Sequence, residues 1–144
     1  MLKKLVIAIT LIICQVSFVN AATIPDESTA KELANKVMQQ VAAGNLGAAF
    51  KEMKPYVVIP ESEFDSVALQ SKAQREQYGT RYGAAVGYEF VDSKKVGTSL
   101  LRLRYLEKTN RHALPWVFYF YKTPEGWILN TFTWKDTFQE MFSE

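Results

Sequence analysis

The chain has 144 residues, 48% of them hydrophobic and 22% charged, which is typical of one globular domain. The 17 basic residues nearly balance the 15 acidic ones, which excludes the strongly basic surface of a nucleic-acid-binding protein. The chain contains one cysteine and one histidine, which excludes a disulfide framework and leaves too few ligands for a zinc cluster.

The N-terminus has the three parts of a secretory signal peptide. Two lysines are followed by an almost unbroken apolar run over residues 5–14 and by small residues up to Ala21. The apolar run is too short for a typical membrane span. We therefore expect cleavage after Ala21 and a periplasmic or secreted protein, rather than a retained N-terminal anchor.

Cleavage would leave residues 22–144 as a single domain with no membrane span. It would remove Cys14 and two of the 17 basic residues, so that 15 basic residues would face 15 acidic ones. Lipid attachment at Cys14 is disfavoured, because bulky Ile13 occupies a position where a lipobox has a small residue. A neutral domain has no general electrostatic attraction to nucleic acid or to an anionic membrane.

Helical periodicity and capping signals predict three helices in the first half of the domain. Thr29 and Glu32 form a capping box at the start of the first helix, and Gly44 ends it. Pro55 ends the second helix, and the third has a solvated outer face. The predicted helices cover residues 30–43, 46–54 and 60–78.

From Gly83 onward the apolar period changes to two, which indicates strands. The sequence TPEG between the last two strands fits a type I turn. Helices followed by an antiparallel meander define an α+β fold, with N-terminal helices packed on a four-stranded sheet. The predicted strands cover residues 86–91, 101–105, 116–121 and 127–134.

Strand parity assigns one apolar face of the sheet to the helices. Asn130 is the polar exception on that face, and it is either a satisfied core amide or the polar anchor of an aromatic pocket. The other residues of the face form either an ordinary core or the walls of that pocket. The residues predicted to bind a ligand there are Tyr88, Tyr105, Trp116, Phe118, Asn130 and Trp134.

The second face mixes arginine with aromatic residues. It is either a solvated surface with cross-strand ion pairs or a homodimer interface, in which tyrosine and arginine are enriched. We favour the interface, because the aromatic residues together would form a large exposed apolar patch. The predicted interface residues are Arg102, Arg104, Tyr119, Tyr121, Trp127 and Leu129.

Several stretches together resemble an NTF2-like domain, the cystatin-related cone fold. They are "AAGNLGAAF", "YGAAVGYEF", the strand pair "PWVFYFYKTPEGWILNTFTW" and the closing "KD". The resemblance covers most of the domain and implies a strongly bent four-stranded sheet wrapped around helices, with a pocket inside and a dimer interface outside. Secreted domains of this kind are commonly of unknown function.

The resemblance includes enzymes such as ketosteroid isomerases, which need a carboxylate facing the apolar pocket. Parity turns Glu89 away from that face unless a bulge reverses it, and His112 lies beside a hairpin loop. We therefore predict no catalytic residue, no cofactor and no metal. The favoured function is non-catalytic binding of a small apolar ligand or a partner protein; the alternatives are an isomerase-like or dehydratase-like pocket enzyme and a structural dimerisation module.

Overall fold

The computed structural model describes residues 21–143. The predicted signal peptide, apart from Ala21, lies outside the described residues, and so does Cys14. Within residues 21–143, no helix is both long and apolar enough to cross a membrane. The helices and strands are α1 (Glu27–Ala42), α2 (Leu46–Met53), α3 (Glu61–Tyr82), β1 (Ala85–Val96), β2 (Leu100–Thr109), β3 (Ala113–Thr123) and β4 (Gly126–Trp134).

The four strands form one antiparallel sheet in the order β1-β2-β3-β4, and the helices precede them in the chain. The predicted α+β architecture is therefore confirmed. Two short 3-10 helices, Lys54–Tyr56 and Gln139–Phe142, follow α2 and β4. The strands are longer than predicted. Charged residues near the strand ends interrupt the apolar alternation in the sequence, but their backbones still pair with the neighbouring strands.

Helix α1 begins earlier than predicted because Asp26, and not Thr29, caps it. The Asp26 carboxylate accepts a hydrogen bond from the Thr29 backbone N–H at 2.7 Å, which satisfies a free amide of the first turn. An apolar stripe including Leu33, Val37 and Val41 is buried. Helix α1 packs against β1, β2 and α2, and this contact is the centre of the hydrophobic core.

Helix α3 is polar by comparison, with only Phe64 and Ser71 buried. It reaches the sheet through long side chains. The Tyr78 and Trp134 ring centroids lie 5.7 Å apart, edge to face, and the Trp134 indole N–H donates to the Ser71 hydroxyl at 3.2 Å. Helix α3 is therefore a polar cover over one part of the inner face, the sheet face that the helices pack against.

A bulge at Asn130 reverses the two faces of β4 part-way along the strand. Tyr119 pairs with Thr131, but the next residue, Phe120, pairs with Leu129, so Asn130 has no partner in the ladder. Trp127 and Leu129 are consequently buried in the core, with 2% and 0% of their surfaces exposed. Their predicted place on the outer face is wrong, and so is the inward placement of Asn130, which is exposed.

A second bulge, in β1, shapes the outer face, the sheet face opposite the helices. Phe90 pairs with Tyr105 and Asp92 pairs with Arg104, which leaves Val91 as the extra residue. This shift places Asp92 beside two arginines of β2. The Arg104 Nε donates to Asp92 Oδ1 at 2.8 Å, and an Arg102 guanidinium nitrogen lies 3.6 Å from the same oxygen.

Candidate functional site

Most of the residues predicted to bind a ligand are parts of the inner core. Tyr105, Trp116 and Phe118 are fully buried, and Tyr88 and Trp134 pack against them at the edge of the core. The rings are interlocked, with Tyr105 and Phe118 edge to face at 5.7 Å. Such packing is that of an aromatic core, and Asn130 does not take part in it.

The buried Tyr105 hydroxyl donates to Asn35 Oδ1 on α1 at 2.9 Å. Burial raises the pKa of Tyr105 above the usual range for a phenol, so this hydroxyl stays protonated and is a hydrogen-bond donor in the core. The contact joins the centre of β2 to α1. Tyr105 therefore holds a helix to the sheet rather than facing an open space.

Glu107 is a buried carboxylate on the inner face, and the sequence reasoning missed it. It follows Leu101, Leu103 and Tyr105 at the same parity, so the alternation of β2 already pointed it inward. Its side chain is fully buried and forms an ion pair with Arg75 of α3. Its second oxygen accepts from the Trp116 indole N–H at 3.1 Å.

The electrostatics of Glu107 follow from these contacts. Burial raises the pKa of the Glu107 carboxyl, because a low-dielectric environment disfavours the charged form, while Arg75 and the Trp116 indole oppose that rise. Tyr88 of β1 lies opposite Glu107 in the ladder. The inner face thus contains a carboxylate among aromatic rings, closed off by a guanidinium from α3.

His112 is half-buried rather than a free loop residue. Its ring stacks on Tyr82 at 4.1 Å, and its Nε2 lies 2.6 Å from the Asp136 carbonyl oxygen, which requires Nε2 to carry a proton and donate. The Tyr82 hydroxyl donates to the Asp136 carboxylate at 3.2 Å. These contacts anchor the C-terminal segment, residues 135–143, to the end of α3 and to the loop between β2 and β3.

The C-terminal segment covers part of the outer face. The Lys135 backbone N–H donates to the Pro115 carbonyl at 3.3 Å. Met141 then lines a space of about 270 Å³ together with Arg102 and Arg104, as well as a second space of about 430 Å³ beside Leu106. The chain itself therefore covers part of a face for which a twin subunit is predicted.

Another part of the outer face is open and concave. This outer hollow has a volume of about 470 Å³ and is mostly apolar. Four of the predicted site residues line it: Asn130, which was predicted on the inner face, and the predicted interface residues Arg102, Tyr119 and Tyr121. They meet because the bulge turns the Asn130 amide to the outer face. Its remaining lining residues are Lys94, Val96, Leu100, Leu101 and Phe120.

Arg102, which lines the outer hollow, has the one buried side-chain polar atom without a hydrogen-bond partner among residues 21–143. This atom is the Arg102 Nε. Its neighbour Arg104 takes the closer position on Asp92 and lowers the pKa of that carboxyl. A buried N–H without an acceptor costs free energy unless water or a ligand supplies one.

Of the six predicted interface residues, the structure brings four together on the outer face: Arg102, Arg104, Tyr119 and Tyr121. The two tyrosines are exposed, whereas the arginines are largely covered by each other, Asp92 and the C-terminal segment. The bulge separates the other two, Trp127 and Leu129, from this group.

No family model matches the chain, and no curated protein matches it. Among solved structures, the fold is similar to that of a Campylobacter jejuni protein described provisionally as an NTF2-like transpeptidase. The two share 13% sequence identity with a TM-score of 0.47, over 71% of this chain and 97% of that one. A likeness this distant carries no argument about activity.

Proposed function

We propose that this chain is a non-catalytic binding domain and that the outer hollow holds its ligand. The ligand is a small, mainly apolar molecule with one anionic or hydrogen-bond-accepting group. Apolar contacts from Leu100, Tyr119 and Tyr121 would supply most of the affinity, and Arg102 and Asn130 would orient the polar group. A largely apolar site with a few polar groups is the usual composition of a small-molecule pocket.

The size and exposure of the outer hollow support this proposal. Its volume of about 470 Å³ lies within the range of known ligand pockets. Its rim includes Val96, Leu100, Tyr119 and Tyr121, of which 61%, 48%, 40% and 42% of the surface is exposed. Apolar surface that is contiguous, concave and exposed is characteristic of a binding site.

The single observation that carries the proposal is the buried Arg102 Nε without a partner. The inner cluster, by contrast, is hydrogen-bonded where it is polar, since Glu107, Tyr105 and Trp116 all have partners. An acceptor supplied by the ligand would satisfy Arg102 in the same way. Arg102 lines both the outer hollow and the smaller space beside Met141, and we assign the ligand to the hollow because it is the larger and the more apolar of the two.

The proposal is tested with 8-anilinonaphthalene-1-sulfonate, a fluorescent aromatic anion. We expect the folded domain to bind it with one site, and Tyr119→Ser and Arg102→Met each to weaken binding by about tenfold, which corresponds to roughly 1.4 kcal/mol. Lys108→Met, an exposed residue on the outer face that does not line the hollow, is the matched control and should bind as the wild type does.

Two results would contradict this assignment. Dye binding that neither variant changes would place the site elsewhere on the molecule. The second contradicting result would come from sedimentation of the same samples, if the wild type were a dimer that Tyr119→Ser dissociates. The outer hollow would then belong to an interface between two copies, as the dimerisation alternative requires.

Glu107 favours a second candidate function, a pocket enzyme of the isomerase kind. Such an enzyme needs an inward carboxylate with a raised pKa, and Glu107 has both properties. Its ion pair with Arg75 argues against this function, because a carboxylate held by a guanidinium is a weak base. Glu107 also does not line the outer hollow, so we rank this function second.

We also propose that the domain is NTF2-like and exported. The first proposal is supported by three helices followed by a four-stranded antiparallel sheet with three register shifts, two in β1 and one in β4. The second is supported by the N-terminal sequence alone. Together they describe an extracytoplasmic binding module.

A further inference from the structure

Two adjacent rows of side chains cross the sheet beneath the outer hollow, and the two rows differ in charge. In the first row, Lys94 of β1 pairs with Arg102 of β2, which pairs in turn with Tyr119 of β3. The members of the second row, in the same strand order, are Val96, Leu100 and Tyr121. All six residues line the hollow. The outer hollow therefore has a basic side and an apolar side.

Lys94 and Arg102 are direct cross-strand neighbours. The Cβ atoms of residues that lie opposite each other in an antiparallel pair are about 5 Å apart, and like charges in such positions destabilise the pair. Both side chains line the same hollow. An anion bound between them would replace this repulsion by two attractions.

Asp92 is the carboxylate that faces these cations, and it is shared among them. The Arg104 Nε donates to it at 2.8 Å, and an Arg102 guanidinium nitrogen lies 3.6 Å away. Lys94 forms no ion pair with any of residues 21–143. One negative charge beside three positive ones leaves an excess of positive charge on this part of the outer face.

Other carboxylates of the outer face do not remove this excess. Glu140 lies beside Arg102 in the smaller space under the C-terminal segment, but it pairs with Lys135. Glu89 lies 3.9 Å from Lys108. Within residues 21–143, no acidic residue lines the outer hollow. The charge of the hollow is therefore complementary to an anion.

The apolar side of the hollow selects the rest of the ligand. Tyr119 and Tyr121 have 40% and 42% of their surfaces exposed, and flat aromatic compounds pack well on tyrosine rings. A single negative charge suits a mostly apolar hollow better than a double one, because the cost of moving an ion out of water rises with its charge.

From these contacts we infer that the ligand of the outer hollow is an aromatic monocarboxylate and that Lys94 selects its charge. The aromatic ring lies against Tyr119 and Tyr121. The carboxylate lies between Lys94 and Arg102 and accepts a hydrogen bond from the Arg102 Nε. This inference rests on the proposed function, which requires only a hydrogen-bond acceptor on the ligand and gives Lys94 no role.

The inference is tested by isothermal titration calorimetry with naphthoate and naphthamide, which have nearly the same shape and differ in charge at neutral pH. We expect naphthoate to bind about tenfold more tightly. Lys94→Met should weaken naphthoate binding by about fivefold and leave naphthamide binding unchanged, because methionine keeps an apolar stem of similar length. Lys94→Glu should abolish the preference, because the glutamate would pair with Arg102 in the ladder.

Lys95→Met is the matched control. Lys95 is the next residue of β1 and is also exposed, but its Nζ lies 2.6 Å from Glu27 of α1 and it does not line the hollow. The variant changes the net charge by the same amount as Lys94→Met. It should bind both compounds as the wild type does, and thermal unfolding should confirm that every variant is folded.

Two results would overturn the inference and leave the proposed function standing. The first is equal binding of naphthoate and naphthamide, with both weakened by Tyr119→Ser, which would make the hollow an apolar site without preference for charge. The second is a preference for naphthoate that Lys95→Met lowers as much as Lys94→Met does, which would make it a general effect of net charge.

A different result would overturn the proposed function together with the inference. It is the absence of binding of either compound, or binding of both that Tyr119→Ser leaves unchanged.

Discussion

Both faces of the sheet carry aromatic and polar residues, but the burial and hydrogen bonding of these residues differ between the faces. On the inner face the aromatic rings are buried, packed edge to face or stacked, and their polar atoms are hydrogen-bonded. On the outer face two tyrosines border an open hollow beside an arginine Nε that has no partner among the described residues. Aromatic content alone therefore does not mark a binding site; unfilled space next to an unsatisfied polar group does.

The bulge at Asn130 creates much of this difference. It turns Trp127 and Leu129 inward, where they complete the core, and it leaves the Asn130 amide on the outer face. Without the extra residue, an amide would point into the core and two large apolar side chains would lie in solvent. One inserted residue thus both fills the inner face and shapes the outer hollow.

The largest effect is expected at the buried ion pair of the inner face. Arg75→Met should destabilise the fold by about 4 kcal/mol at pH 7, because it leaves the Glu107 charge buried without its partner. Lys72→Met, on the solvated side of the same helix, should change stability by less than about 0.5 kcal/mol. Urea unfolding of both variants measures the difference.

The same variant has a pH dependence with a defined sign. Burial raises the pKa of Glu107 in the folded state above its ordinary value of 4.5, and Arg75 opposes that rise. Stability from a group with a raised folded pKa is present at low pH and is lost as pH rises through that pKa. Arg75→Met should therefore lose less stability at pH 5 than at pH 7; an equal loss at both values would show that Glu107 is not the charge left behind.

The second largest effect compares the two faces directly. Leu129→Ala should destabilise by about 3 kcal/mol, because Leu129 is fully buried and its removal leaves a cavity. Tyr119→Ser, on the outer face, should cost less than about 1 kcal/mol. If the two losses were equal, the reversal of faces at Asn130 would be wrong. Urea unfolding at neutral pH is again the measurement.

The smallest effect is expected from the ion pair on the outer face. Asp92→Asn should cost less than about 1 kcal/mol, because Asp92 is partly exposed and water screens its attraction to Arg104. The hydrogen bond from Arg104 lowers the pKa of Asp92, so its contribution is present at neutral pH and is lost as pH falls through the folded pKa. The difference from the wild type should vanish in strongly acidic solution, as measured by thermal unfolding across pH.

The candidate site shows how far sequence reasoning reached. Asn130 is conspicuous in the sequence because its amide interrupts an apolar pattern. Strict alternation assigned Asn130 to the core, whereas in the structure it is the extra residue of a bulge. The alternation of β2 predicts that the Glu107 side chain points inward. A buried carboxylate was not expected there, because its partner Arg75 lies 32 residues earlier in the chain, on a different element. The ion pair cannot be read from local pattern, and the interruption at Asn130 does not by itself distinguish a bulge from a core amide.

The sequence by itself determined the order of elements and the α+β class, because period and capping are local properties that each segment expresses on its own. The tertiary structure decided which residues face each other. The shift of register at Asn130, the ion pair across to α3 and the C-terminal segment over the outer face all depend on segments far apart in the chain. Packing settles them by burying large side chains and pairing buried charges, and no single segment contains that information.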